Sequence, residues 1–482
     1  MEFETVMGLE VHVELSTKTK IFCSCTTEFG GEPNTHVCEV CTGMPGTLPV
    51  LNKNVVEYAI RTGLATNCEI TRYNKFDRKN YFYPDLPKAY QVSQLYLPIC
   101  QNGHIDIEVN GVKKSIGIHE IHMEEDAGKL IHDPWDDCTL VDYNRCGVPL
   151  LEIVSKPDFR TGEEVIAYLT KLKQILQYID VSDCKMEQGS MRADVNLSVR
   201  PFGQDEYGTR TEMKNINSFK AIARAIEGEK LRQIELITDG KKVIQETRRW
   251  DDNKGSSFAM RSKENAQDYR YFPEPDLIPI EISEKWIEDV RNSLPELPAE
   301  KKERYLKEYK LPEYDVDIIT GTKALVKIFE EANSVCNNPK EVSNWIMVEI
   351  LRLASETNTE PENINFNPKN LGKLINLVKS GFVNRNIAKE EVLSKMFIDD
   401  IEPEQYIKDN NLQMLNDDNI ILDTILSVIN EAGSDAIEQY MNGNEKIVKF
   451  LMGQAMKKLK GKANPEVVKR TLEEELSKMI KL

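Results

Sequence analysis

In Gly8–Leu15 apolar and ionisable residues alternate: Val11, Val13 and Leu15 interleave with Glu10, His12 and Glu14. A helix does not sort residues this way, but a strand does, because successive side chains point to opposite faces. The pattern recurs in Ala193–Arg200, where Ala193, Val195, Leu197 and Val199 oppose Asp194, Asn196, Ser198 and Arg200. Thr209–Lys214 likewise brings Arg210, Glu212 and Lys214 together. Strands of this kind fit an antiparallel sheet with one packed face and one wet face crowded with charge. Glu163–Ile179 and Ser218–Ile237 interrupt the strands as helices, with apolar residues at helical spacing.

Prolines 273, 275, 279, 295 and 298 mark a boundary. Beyond it, Pro298–Tyr309, Thr322–Glu331, Lys340–Glu356 and Asn367–Ser380 read as amphipathic helices. Asp399–Glu404, with Pro403, reads as a second linker, followed by helices Asp417–Ala432, Asn444–Lys460 and Pro465–Ile480. The expected class is α+β, and 482 residues exceed one ordinary core. Three domains are predicted: a sheet domain over 1–290, a helical domain over 291–405 and a helical tail over 406–482.

With 40% hydrophobic and 29% charged residues the chain is neither disordered nor fibrous. It has no run of eighteen apolar residues, and its first residues lack a basic and then apolar leader, so a cytoplasmic address is expected. A net charge of −17 argues against general polyanion binding. Residues 441–482, however, hold ten Lys or Arg against five acids, a local balance of +5. Phosphate attraction is local, so this end can hold RNA; the alternative is a solvated lysine-rich helix face.

Ten cysteines include Cys23-x-Cys25 and Cys38-x-x-Cys41. Two close thiol pairs about a dozen residues apart suit a four-coordinate zinc ion, which would be structural because no position is left open. There is no Gly-x-x-x-x-Gly-Lys-Ser/Thr run and no dinucleotide fingerprint, so a nucleotide site would be of another type. Glu10-Val11-His12, the four acids within Ile118–Lys129, and Glu152 in an apolar strand form oxygen-rich constellations of the kind magnesium prefers. With Lys79, Lys88, Arg145, Arg192 and Lys214 they suggest a phosphoryl-transfer site, where positioning and charge neutralisation dominate.

The run Val141–Ser155 (Val-Asp-Tyr-Asn-Arg-Cys-Gly-Val-Pro-Leu-Leu-Glu-Ile-Val-Ser) resembles the signature of the B subunit of tRNA-dependent amidotransferases. So do Gly8–His12, Phe76–Asp85, His122–Lys129, Arg270–Asp276 and Gly453–Met456 with Asn464-Pro465. The resemblance covers the whole chain in order.

It implies a cradle-shaped, glutamine-synthetase-like catalytic domain with a zinc loop at 23–41, a helical domain and a tRNA-binding tail. The implied reaction activates the side-chain carboxylate of Glu-tRNA(Gln) or Asp-tRNA(Asn) with ATP, and ammonia then displaces phosphate. The ammonia would come from a glutaminase A subunit clasped by a small C subunit, making a heterotrimeric ligase. Carried over residue by residue, the magnesium set is Glu10, His12, Glu124, Glu125 and Glu152. Glu124 is the doubtful member, since adjacent strand residues face opposite ways. Lys79 and Lys88, with Glu125 and Glu152, are the catalytic expectation, the lysines serving the phosphate or lining an ammonia route. Arg192, Asp194, Asn196, Glu212 and Lys214 complete the nucleotide-binding face. Cys23, Cys25, Cys38 and Cys41 hold zinc, and Lys457, Lys458, Lys460 and Lys462 hold tRNA. The rival functions are a non-catalytic tRNA-binding scaffold and a zinc-ribbon interaction protein; the latter uses only Cys23 to Cys41 and leaves most of the chain without a role.

Overall fold

The computed structural model describes residues 2–133, 136–214, 216, 218–262, 269–414, 418–433, 438–440, 445–459 and 462–480. It divides into two compact units, Met1–Pro298 and Ala299–Leu482.

A nine-stranded sheet organises the first unit. From one edge its strands are Ser256–Ser262, Glu246–Asp251, Thr211–Lys214, Met191–Pro201, Phe3–Glu14, Pro149–Ser155, Val112–Glu125, Cys100–Val109 and Glu69–Ile70. Every pairing is antiparallel except that of Thr211–Lys214 with Glu246–Asp251, which is parallel. Met7, Leu9, Val11 and Val13 of the central strand are buried on one face. Helices Gly162–Tyr178 and Phe219–Thr238 contribute Val165, Leu169, Leu172, Ile222 and Ile226 to the same apolar cluster. Each helix starts on a hydroxyl cap, Thr161 accepting from the Glu164 amide and Ser218 from the Ala221 amide, which satisfies otherwise orphaned N–H groups.

One irregularity decides what the wet face carries. Val154 pairs with Glu120 but Ser155 pairs with Ile118, so His119 is an extra residue on its strand. On the neighbouring strand Asn102 has φ 54°. Ile116 and Ile118 are buried before this bulge, and Ile121 and Met123 after it. The extra residue therefore reverses which alternate positions face the core.

A smaller sheet of Phe272–Pro273, Asp77–Asn80 and Tyr90–Ser93 belongs to the same unit. Arg78 clamps it, donating to Glu274 at 2.6 and 2.8 Å and to Asp276 at 3.0 Å. The unit runs past residue 290: helix Glu284–Ser293 belongs to it, and Arg61 donates to the Ser293 hydroxyl at 3.3 Å.

The second unit holds two apolar clusters, one drawn from Tyr305 to Leu412 and one from Ile421 to Leu476. The expected linker at Asp399–Glu404 lies inside the first. Pro403 and Ile407 are buried, Asp400 accepts from the Asn367 amide at 2.6 Å, and Glu402 pairs with Lys373 at 3.0 Å. Proline here opens the helix Pro403–Asp409, where its missing N–H costs nothing. The helix expected over Lys340–Glu356 is continuous but carries a π-turn at Ile346–Ile350. Among the described residues no helix is long and apolar enough to cross a membrane.

Candidate functional site

Cross-strand register sets the polar face in rows. His12 lies opposite Arg192 on one side and Glu152 on the other, and Glu152 lies opposite His122. Glu10 lies opposite Asp194, and Glu212 opposite Asn196. Two groups of metal-competent atoms result, His12 with Glu124 and Glu152, and Glu10 with Asp194 and Glu212, each gathered within 4.8 Å.

In the first group the imidazole Nε2 of His12 lies 3.5 Å from Glu124 and 3.8 Å from Glu152. Ser93 of the small sheet donates to Glu124 at 3.3 Å, and His122 stands 3.7 Å from Glu152 and 3.0 Å from Glu120. Burial and the neighbouring Glu152 push the Glu124 carboxyl above its ordinary range. Glu152 goes the other way: burial opposes its charge, but His12, His122 and Lys79 more than offset this. A buried carboxylate, a half-buried one and an imidazole form a donor set that fits a hard divalent cation.

In the second group Asn196 donates to Glu10 at 2.8 Å, Thr247 donates to Glu212 at 2.7 Å, and Lys214 pairs with Asp194 and, at 3.1 Å, with Glu212. Burial opposes the Lys214 charge, and Asp194 and Glu212 more than restore it. Beside this group a pocket of about 270 Å³ is lined by Val6, Gly8, Val154, Pro157, Tyr207 and Arg210, among others. Gly8 opens it, a strand residue with no side chain to fill the slot.

Lys79 reaches the first group from the small sheet, stacked 5.0 Å from the Tyr269 ring and 5.7 Å from that of Tyr81. Burial opposes its charge, but Tyr271, Glu124 and Glu152 hold its pKa above the usual lysine value.

Glu125 is not brought into either cation group. It points to the opposite side of its strand from Glu124, where it accepts from Lys88 at 2.5 Å and from the Val92 amide at 2.9 Å. Lys88 and Glu125 line a cavity of about 120 Å³ with Lys20, Cys23, Cys41 and Gly43. Gly43 has φ +70°, and a Cβ there would lie 2.5 Å from the Lys88 side chain. Arg192 also departs from expectation. Its guanidinium donates to Asp126 at 2.8 Å rather than facing the Glu10 group, and Arg145 lies 3.5 Å from the same carboxylate.

The four thiols Cys23, Cys25, Cys38 and Cys41 do converge, with sulfurs within 4.8 Å. Tetrahedral Zn–S bonds of about 2.3 Å place sulfurs roughly 3.8 Å apart, and Cys38 and Cys41 are 4.0 Å apart. The Cys38 amide donates to the Cys41 sulfur at 3.2 Å. Hydrogen bonding to Cys23 and Cys38, with the charge of Lys20, brings the Cys41 thiol down to about 5 against the effect of burial. The residues present fit a structural zinc ion.

In the second unit Lys457 and Lys458 are exposed, Lys458 pairing with Glu431, and Lys462 donates to the Asn411 carbonyl. Lys460 lies outside the described residues. Reading the sequence missed Ser93, His122 and Lys20. Of these only His122 carried a signal, as the second imidazole of Ile118-His119-Glu120-Ile121-His122.

The GatB/GatE catalytic domain family matches residues 5–288, and the GatB domain family matches residues 327–476. A Lachnoclostridium phytofermentans protein, named as the B subunit of an aspartyl/glutamyl-tRNA(Asn/Gln) amidotransferase, is 65% identical over 476 residues, 99% of either chain. Relatives of the same name from Agathobacter rectalis and Caldicellulosiruptor bescii are 61% and 59% identical. These cover 98% and 99% of this chain and 99% and 100% of their own. With identity of that extent from end to end, the chain belongs to the GatB family, the B subunits of the Asp/Glu-tRNA(Asn/Gln) amidotransferases.

Proposed function

We propose that this chain uses ATP to activate the side-chain carboxylate of a misacylated tRNA, Glu-tRNA(Gln) or Asp-tRNA(Asn), for amidation. A glutaminase A subunit and a small C subunit complete the enzyme. The observation that carries this is the pair of carboxylate groups side by side on one sheet face, flanked by Lys79 and Lys214.

A carboxylate resists ammonia because its leaving group would be oxide. One carboxylate oxygen attacks the γ-phosphorus, the bond to the bridging oxygen breaks and ADP leaves. Ammonia then attacks the carbonyl carbon, phosphate departs with the C–O electrons, and one proton is lost. The pocket opened by Gly8 is the slot into which the nucleoside would fit. Glu10, Asp194, Glu212 and Lys214, then His12, Glu124 and Glu152, would take its phosphates through magnesium and the lysine. These acids would hold magnesium, which would supply charge neutralisation at the phosphates. Lys79 faces the charge that builds on the transferred group. Lys88 and Glu125 line the cavity on the other side of the strand and bound the ammonia approach. The tail helices hold the tRNA by phosphate contacts and shape.

The test is ATP hydrolysis by the chain assembled with its A and C partners and supplied with ammonium. ADP formed with Glu-tRNA(Gln) or Asp-tRNA(Asn) but not with uncharged tRNA, and matched by amidated product, is the expected result. No dependence on charged tRNA would leave a tRNA-binding scaffold instead.

A further inference from the structure

Lys20 is fully buried, at 0% exposure. A lysine in such a place needs an anionic partner, because an unpaired buried ammonium is strongly penalised. Its Nζ has two close polar neighbours among the described residues, the His36 carbonyl at 2.7 Å and the Cys41 sulfur at 3.6 Å. The carboxylates that share its cavity are committed elsewhere. Glu125 holds Lys88 at 2.5 Å, Glu274 holds Arg78 at 2.6 Å, and Asp276 holds Arg78 at 3.0 Å. The anion facing Lys20 is therefore the thiolate cluster itself.

Four thiolates around a divalent zinc ion leave a net charge of −2. Cys41 is the buried member of the set and shares its cavity with Phe22 and Val40, so charge at its sulfur is poorly solvated. We propose that Lys20 is the counter-ion of the four-cysteine centre, a positioning residue that offsets its negative charge and sets its zinc affinity. The His36 carbonyl aims the ammonium, and His36 lies two residues before Cys38, so the loop that supplies two ligands also orients the compensating charge. Neutralising an outer partner of this kind costs about 10- to 100-fold in metal affinity.

The test compares zinc affinity of the full-length chain and its variants by competition with a chromophoric chelator. Lys20→Met is expected to bind zinc at least tenfold more weakly, and Lys20→Arg within about threefold of the unaltered chain. The discriminating measurement repeats Lys20→Met on a Cys41→His background. There imidazole replaces one thiolate and the centre carries one charge fewer, so the penalty should shrink to about threefold or less. The cobalt-substituted proteins should keep their thiolate-to-cobalt absorption, showing that the same ligands bind. Unchanged zinc affinity in Lys20→Met, or an equal loss on both backgrounds, overturns the proposal, because packing alone would then account for Lys20. If Lys20→Met and Lys20→Gln both fail to fold whether or not zinc is supplied, Lys20 serves the fold and not charge balance, and the proposal again fails.

Discussion

Lys88 and Glu125 meet at 2.5 Å across the cavity wall, while Glu124, one residue earlier, faces His12 on the other side of the strand. The His12 side, which Glu124 shares with Glu152, and the Lys88 side therefore answer different substitutions. Glu152→Gln should raise the magnesium needed for half-maximal, charged-tRNA-dependent ATP use by at least the roughly tenfold that even an outer-shell loss costs. Glu125→Gln should leave that midpoint within about twofold yet lower amidation about 100-fold by displacing Lys88. A magnesium titration of both variants checks this, and an equal shift in both would return Glu125 to the metal.

Gly8 offers a test of the nucleoside pocket. A Cβ there would meet Pro157 and Ser155 at 3.7 Å, ordinary contact, and β-branched residues suit strands. Gly8→Val should therefore fold but narrow the slot, raising KM for ATP about tenfold with little change in tRNA affinity, as expected when one contact of about 1.4 kcal/mol is lost. Unaltered KM for ATP would move the base elsewhere.

On the covered side of the sheet, Glu229 is fully buried. It accepts from Thr211 at 2.8 Å, from Gln233 at 2.9 Å and from Arg232 at 2.7 and 2.8 Å. Burial opposes its charge, but Arg232, Gln233 and Thr211 hold its pKa below the usual glutamate value. A carboxyl held down contributes stability that is complete above its unfolded value, about 4.3, and is lost as pH falls through the folded value. Glu229→Gln should cost about 3 kcal/mol at pH 7, the scale of breaking a buried pair. The gap from the unaltered chain should close as pH drops below about 4. Urea midpoints at pH 7 and pH 3.5 measure it; a constant gap would show that charge is not involved.

In the tail, Lys457→Ala should lower tRNA affinity and reduce the salt slope by about one. Lys458→Ala should do less, its ammonium being held by Glu431. Replacing Lys457, Lys458, Lys460 and Lys462 together should flatten the salt dependence further. An unchanged slope in that fourfold variant would make the basic tail a solvated face.

Alternation made the central strands legible. Glu10, His12, Asp194 and Glu212 share the wet face as period two requires, and the thiol spacing located the four-cysteine centre. The choice between Glu124 and Glu125 was not legible. Counting by twos from the buried Ile116 and Ile118 puts Glu125 outward, and only the extra residue at His119 reverses the count. For Arg192 the strand pattern gives its face but not the partner, Asp126, that binds it. The expected linker at Asp399–Glu404 failed because a proline that opens a helix and one that breaks a domain look alike in sequence.

The Arg78–Glu274 clamp joins positions 196 residues apart. It therefore dictates an order of assembly during synthesis. The acidic strands, complete by residue 214, are all available well before the segment that clamps the Lys79 sheet emerges. Long-range closure of this kind is slow, because loop entropy is lost before the contact is gained. A nascent or truncated chain ending short of Glu274 would thus present His12, Glu124 and Glu152 without the Lys79 ammonium held against them, so cation affinity can mature before phosphate chemistry does.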